Sequence, residues 1–233
     1  MGYPEFPEDH LLLRTLQGIK KQIGDPTATR LRITIQLMRT LKNQLRCCIN
    51  MDVTDILMLW AAFTMAFFGF LRVSEFASPT KTTFDLECTL LRSDVNLGSA
   101  ITVTIKAAKN DPFRRGHTLT IASSGSSVCA CTTFTQHALA FQFTNGSYLT
   151  RQTVTDSIRT LLMQAGIPSA EKYSSHSFRA GAATTAAEAN LPDWLIKTLG
   201  RWRSDSYQLY IKTPATTLHA VPRILANQAE PQN

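Results

Sequence analysis

Apolar residues in this chain recur in two ways before the pattern changes. From Ile35, the positions Leu37, Met38, Leu41 and Leu45 return at helical spacing, while Arg39, Lys42 and Arg46 take the other sides. Thr34 stands where a side-chain cap belongs. Ile56 through Leu71, by contrast, is almost wholly apolar, which predicts a helix buried on all sides, capped by Thr54 or Asp55 and ending near Arg72. That run is shorter than the roughly 18 to 20 residues a bilayer span requires, so no membrane partner is expected.

Beyond Pro79 the period becomes two. Ile101-Thr102-Val103-Thr104-Ile105-Lys106 alternates, and His117-Thr118-Leu119-Thr120-Ile121 alternates again after a polar connection containing Pro112 and Gly116. This predicts a β-hairpin. Ser123 to Ser127 reads as a loop and Asn145-Gly146 as a turn, after which the chain reads helical from Thr150 almost to its end. Before Thr34, Pro4 and Pro7 mark an irregular lead-in, followed by a short helix from His10 to Lys21 and a turn at Gly24-Asp25-Pro26-Thr27. With no internal repeat, the expectation is a mainly α fold with a small antiparallel hairpin: a lead-in over 1–33, one body over 34–214 and a tail over 215–233.

Composition narrows the class. Of 233 residues, 44% are hydrophobic and 18% charged, which excludes a largely disordered chain. Lys plus Arg number 24 against 17 acids, giving a net charge of +7 and suiting a polyanionic partner. Five cysteines without framework spacing point to reduced thiols, and the first residues carry no secretory pattern, so the expected location is intracellular. A zinc role for Cys129, Cys131 and His137 lacks a second ligand pair at finger-like spacing, so no metal is expected.

Five places combine polar groups with contexts that packing alone does not explain. Arg72 closes the run Phe67-Phe68-Gly69-Phe70-Leu71, with Glu75 three residues on to pair with its guanidinium; an arginine that simply ends a helix has the same look. Lys106 and Lys109 follow the first predicted strand, with Arg114 and Arg115 in the same connection, where they can meet a phosphate backbone or bulk water. Ser174-Ser175-His176-Ser177-Phe178-Arg179 sets serines at a helix start and His176 and Arg179 on one face. Amides, imidazole and forked guanidinium there favour an anion, although a helix start can also hold a histidine for purely structural reasons. Leu199-Gly200-Arg201-Trp202-Arg203 is a helix stop with an indole N–H available to phosphate or to core packing. Tyr207 and Tyr210 lie on a last helix that stops before Pro214, and a phenol is either a packing residue or a nucleophile toward phosphorus.

In order, Arg72, Lys109, His176, Arg179, Trp202 and Tyr210 resemble the active-site signature of the tyrosine recombinase (phage-integrase-like) family. Leu71-Arg72-Val73-Ser74-Glu75 is similar to its first-arginine motif, His176-Ser177-Phe178-Arg179 to its His-x-x-Arg box, and Leu199-Gly200-Arg201-Trp202 through Tyr210-Ile211 to its closing motif. The wording of Phe67 to Arg72 and of Gly200-Arg201-Trp202 is similar to the eukaryotic mobile-element branch, including DIRS-like retrotransposons and Cryptons.

The resemblance implies a DNA breaking-rejoining catalytic domain over 34–214. It implies Arg72 and Arg179 as a clamp on the scissile phosphate, His176 and Trp202 as further partners, Lys109 as general acid and Tyr210 as nucleophile. Glu75 would support the clamp, and Lys106, Arg114, Arg115, Arg201 and Arg203 would touch the DNA backbone. Double-stranded DNA is the implied partner, with a homo-oligomer, a tetramer on paired sites, and no cofactor. A nuclear location follows if the source is eukaryotic, a cytoplasmic one otherwise. The family's separate DNA-clamping domain is not matched ahead of the motifs, the stretch from Cys129 to Phe143 is shorter than in relatives, and the spacing from Trp202 leaves Tyr207 as a rival. A non-catalytic DNA-binding relic and a type IB topoisomerase remain alternatives.

Overall fold

The computed structural model describes residues 30–87, 89–106, 116–130 and 141–211, together with Arg14, Thr15, Gly18, Ile19 and Pro222. The chain divides into two units, Met1–Arg30 and Leu31–Asn233. In the first, Arg14, Thr15, Gly18 and Ile19 are helical, within the helix expected from His10 to Lys21; the rest of that stretch lies outside the described residues.

The second unit begins its helices with α1, Ile35–Arg46, where the Thr34 hydroxyl accepts from the Leu37 amide at 3.3 Å as the cap pattern predicts. Met38, Leu41 and Leu45 are buried, and Arg39 and Arg46 are exposed. Lys42 is half-buried: its ammonium donates to the Ser127 carbonyl and stands 5.7 Å from the Trp60 ring centre. One of the three cations on that helix therefore serves the fold.

The apolar run forms α2, Val53–Phe68. Its cap is Asp52, whose carboxylate accepts from the Thr54 amide at 2.7 Å, rather than Thr54 or Asp55. Asp55 is drawn inward instead, accepting from the Thr144 amide at 2.8 Å and the Thr144 hydroxyl at 3.0 Å. Met58 through Phe67 are buried without a break. Full burial of a large apolar side chain contributes about 2 kcal/mol, so Met58, Leu59, Phe63 and Met65 make this helix the central apolar element. It ends at Phe68, four residues before Arg72, with Gly69 as its cap, and the chain leaves through Phe70 in the left-handed region, φ 50°.

The predicted hairpin is present, with one strand more. Strands β1 (Val95–Leu97), β2 (Ala100–Ile105) and β3 (His117–Ala122) form an antiparallel sheet in that order. Val95 faces Val103 and Ile101 faces Ile121, so alternate apolar residues turn to the core. Three residues are too few for β1 to show a period, which is why the pattern did not reveal it. The connection 107–115 lies outside the described residues.

The helical second half holds α3 (Arg151–Gln164), α4 (Ser177–Glu188), α5 (Asp193–Leu199) and a 3-10 turn, Asp205–Tyr210. The α1 helix packs on α3, and α2 packs on α4 through the Phe63 and Phe178 rings, 5.1 Å apart. Neither Ser174 nor Ser175 caps α4 with its side chain. His176 holds the cap position, the Ser177 hydroxyl accepts from the Ser174 amide at 3.0 Å, and the Ser175 amide donates to Thr155 at 3.2 Å. Among the described residues no helix is long and apolar enough to cross a membrane.

Backbone of the segment before α1 lies directly on α4. The Leu31 amide donates to the Lys172 carbonyl at 3.2 Å and the Ile33 amide to the Ser177 carbonyl at 3.0 Å. The seat is Gly181, where a Cβ would stand 1.8 Å from the Ile33 carbonyl oxygen. Backbone cannot step aside as a side chain can. Gly181→Ala is therefore expected to lower stability by about 2–3 kcal/mol, measured as a lower urea midpoint; an unchanged midpoint would contradict this packing.

Candidate active site

Charge organises the region between α2 and the closing turn. Past Phe70 the chain is extended at Arg72 and then closes a 3-10 turn, Val73–Glu75. This brings the Glu75 carboxylate back to the Arg72 amide at 2.9 Å and to its guanidinium at 3.1 Å. From the other side, Arg201 reaches the second oxygen of the same carboxylate at 2.7 Å. Glu75 is 1% exposed, so both pairs form where water screens them weakly.

Arg179 comes in from the first turn of α4 and is 5% exposed. Its guanidinium donates to the Phe70 carbonyl at 2.7 Å and to the Gly200 carbonyl, and lies 4.3 Å from the centre of the Trp202 ring. Burial, then the Arg72 guanidinium, lowers its pKa to about 9; Arg201 acts in the same direction, while Glu75 and Tyr210 oppose. Three guanidiniums thus stand around one carboxylate, which is bonded to two of them, Arg72 and Arg201. The cluster carries fixed positive charge that no described acid neutralises, and an anion bound beside Arg179 would relieve it.

The cleft above this cluster has a volume of about 820 Å³ and is lined by Arg72, His176, Arg179, Trp202, Arg203 and Tyr210, with Ser74, Arg151, Ser204 and Ser206. Five of the six positions expected to carry chemistry thus meet in one place. The sixth, Lys109, lies outside the described residues, as do Arg114 and Arg115. Lys106 is engaged elsewhere: it pairs with Asp94 at 2.9 Å and donates to the Leu86 carbonyl at 3.0 Å, which ties the end of β2 to the segment before β1.

Arg201, expected to touch DNA, turns inward. Besides Glu75 it donates to the Gly69 carbonyl at 3.2 Å and the Phe70 carbonyl at 3.4 Å. Its backbone sits at φ 52°, a conformation that costs a non-glycine residue about 1–3 kcal/mol and is held here by the ion pair. Gly200 before it is required by contact, since a Cβ there would lie 1.6 Å from the Trp202 ring. The sequence Gly200-Arg201-Trp202 therefore folds so that the arginine points into the domain and the indole covers Arg179.

The two tyrosines part company. Tyr207 is 5% exposed and packed in the core, its ring 6.0 Å from Trp202. Tyr210 is half-buried, 6.1 Å from the same ring, and faces the cleft. Lys197 holds the turn to α5 through Asp205 at 2.7 Å; that hydrogen bond raises the pKa of the exposed ammonium.

Sequence reasoning missed Arg151. It is the first residue of α3, where the helix dipole disfavours a cation, and it lines the cleft beside Arg72 and Arg179. Among the described residues no group of three or more His, Cys, Asp or Glu could hold a metal ion; of the zinc candidates, Cys131 and His137 lie outside those residues and Cys129 is buried.

No protein-family model and no curated protein sequence matches the chain. Solved structures do. The XerH site-specific recombinase in a post-cleavage complex with palindromic difH substrate matches with TM-score 0.60 at 14% identity, over 84% of this chain and 54% of that one. Its pre-cleavage complex with difH substrate gives 0.59 at 16%, over 92% and 62%. XerA recombinase gives 0.56 at 15%, over 96% and 76%. The chain spans little more than half the length of XerH. At such identities the likeness is one of fold: mainly helical with a small three-stranded antiparallel sheet, as in tyrosine recombinase catalytic domains.

The uncompensated charge has a measurable consequence. Sulfate or inorganic phosphate is expected to raise the thermal midpoint relative to chloride at equal ionic strength, the added unfolding free energy being about 2.7 kcal/mol at one hundred times the dissociation constant, and Arg72→Gln is expected to remove most of that rise. Equal midpoints in sulfate and chloride would show that the cleft holds no anion site. Glu75→Gln, which leaves Arg201 buried without its carboxylate, is expected to cost about 3 kcal/mol in urea unfolding.

Proposed function

We propose that the chain breaks and rejoins DNA as a tyrosine recombinase. The observation that carries this reading is the convergence of Arg72, His176, Arg179 and Tyr210 on one cleft whose positive charge is not balanced. In the reaction, Arg72 and Arg179 hold the non-bridging oxygens of a scissile phosphate and stabilise the charge that grows on them. The Tyr210 oxygen attacks phosphorus as its proton leaves with help from His176, and the bond to the 5′ oxygen breaks. That oxygen takes a proton from Lys109 as general acid. The products are a 3′-phosphotyrosine and a free 5′-hydroxyl; attack by an incoming 5′-hydroxyl restores the phosphodiester and the phenol. The covalent link conserves the bond energy, so the cycle needs no cofactor.

Trp202 acts in this scheme by stacking on Arg179 and keeping water from one face of it. Arg203 and Arg151, both exposed at the cleft, suit phosphates flanking the scissile one. We extend the proposal to source and assembly on the wording of Phe67 to Arg72 and Gly200-Arg201-Trp202: integration or recombination of a eukaryotic mobile element, in the nucleus, by a homo-oligomer, a tetramer, on paired double-stranded sites.

A nicked duplex that lets the 5′ fragment diffuse away traps the covalent adduct. The parental chain and Tyr207→Phe are expected to form it and Tyr210→Phe to form none. Binding without any adduct from the parental chain would point to a non-catalytic DNA-binding relic instead, and plasmid relaxation without strand exchange to a topoisomerase. Arg151→Ala is expected to weaken DNA binding and lower the slope of log affinity against log salt by about one, with the adduct rate on saturating DNA unchanged.

A further inference from the structure

The 3-10 turn that carries Tyr210 is weakly built by itself. Its i to i+3 hydrogen bonds have poorer geometry than those of an α-helix, and Ser204 gives no side-chain cap at its start. Its last carbonyls, like those of any helix end, need partners from elsewhere. Two side chains distant in sequence supply them. The Arg32 guanidinium donates to the Leu209 carbonyl at 3.0 Å, and the Thr184 hydroxyl donates to the Tyr210 carbonyl at 2.7 Å. The same guanidinium donates to the Thr184 oxygen at 3.2 Å, which joins the two contacts into one network.

Both donors are rigidly mounted. Thr184 stands on α4, five residues after Arg179 and on the same helix. Arg32 lies between Leu31 and Ile33, whose amides are bonded to Lys172 and Ser177, on the seat that Gly181 provides. A cation at the carbonyl end of a helix is favourable in its own right. The Thr184 hydroxyl has one hydrogen and two acceptors within reach, Tyr210 at 2.7 Å and Ala180 at 2.9 Å; donation from Arg32 polarises it and strengthens whichever bond it makes. Arg32 does not line the cleft.

We propose that Arg32 is a positioning residue for the nucleophile: with Thr184 it fixes the backbone of Leu209 and Tyr210 against α4, and so sets the phenol's place relative to Arg179. The proposal rests on Tyr210 being the nucleophile. It separates chemistry from binding, because a nucleophile displaced by about 1 Å can cost roughly a hundredfold in rate while the phosphate-binding cations stay where they are.

The test uses the full chain in two independent measurements. One is the rate of adduct formation on a saturating nicked duplex, with the DNA dissociation constant measured beside it. The other is the fluorine resonance of 3-fluorotyrosine placed at position 210, recorded without DNA. Arg32→Ala and Thr184→Val are expected to slow the adduct step about 10- to 100-fold, to leave the dissociation constant within about twofold, and to shift or broaden the resonance. Arg32→Lys, which can still reach one carbonyl, is expected to recover part of the rate. Should Arg32→Ala fail to fold, Thr184→Val carries the test. Parental rate and an unmoved resonance in these variants would overturn the proposal. If the parental chain forms no adduct, the proposed function fails, and the resonance alone then decides whether Arg32 orders this turn.

Discussion

The contact on which the rest of the cleft depends is the shared carboxylate of Glu75. Its two oxygens hold Arg72 and Arg201 at once, and those two residues come from opposite halves of the chain. Removed from water, two guanidiniums would repel one another and lose their hydration together. The carboxylate offsets both terms with short, charge-assisted bonds. One negative charge against the three guanidiniums of Arg72, Arg179 and Arg201 leaves the cluster with two net positive charges, and that excess favours an anion in the cleft. A fully neutral cluster would have made a stable core and no binding site.

The backbone around this cluster follows from the same balance. Phe70 and Arg201 both adopt left-handed conformations, and the Phe70 carbonyl accepts from Arg179 and Arg201 alike. The strain at two non-glycine residues therefore presents one carbonyl oxygen to two guanidiniums, which need acceptors once they are buried. Arg201 belongs to the fold although its neighbours Trp202 and Arg203 belong to the cleft. A strand or helix would have placed consecutive side chains on predictable faces; the left-handed residue is what breaks that rule.

This explains what the sequence disclosed and what it withheld. The α1 stripe, the buried α2 and the period-two strands were legible because each rests on spacing along a single element. Of the six positions whose order in the chain resembles that of a known family, five line one cleft. The errors sit where a residue's fate is decided by a distant partner. Asp55 looks like a cap and is claimed by Thr144; Lys106 looks free and is claimed by Asp94; Arg201 looks like a DNA contact and is claimed by Glu75. Nothing local in the sequence announces those partners. Arg151 is brought to the cleft by the same kind of long-range packing, and its place at the start of α3 does not announce it.

The choice between Tyr207 and Tyr210 shows how such a fold separates equivalent chemistry. Both phenols lie on one short turn and both rings approach Trp202 at nearly the same distance, so neither identity nor neighbourhood distinguishes them. Exposure does. The 3-10 period puts residues three apart on the same side of the turn, yet the first ring is buried in the core and the second is half-buried at the cleft wall. The buried ring anchors the turn that presents the other. Because the turn's own hydrogen bonds are weak, its end is held from outside, and α4 holds it: the helix that carries Arg179 into the cleft also sets Thr184 against the Tyr210 backbone. Cation and phenol are thus referred to a single helix, which is the simplest way for a chain to fix the distance between two groups that, in the proposed reaction, act on one phosphorus.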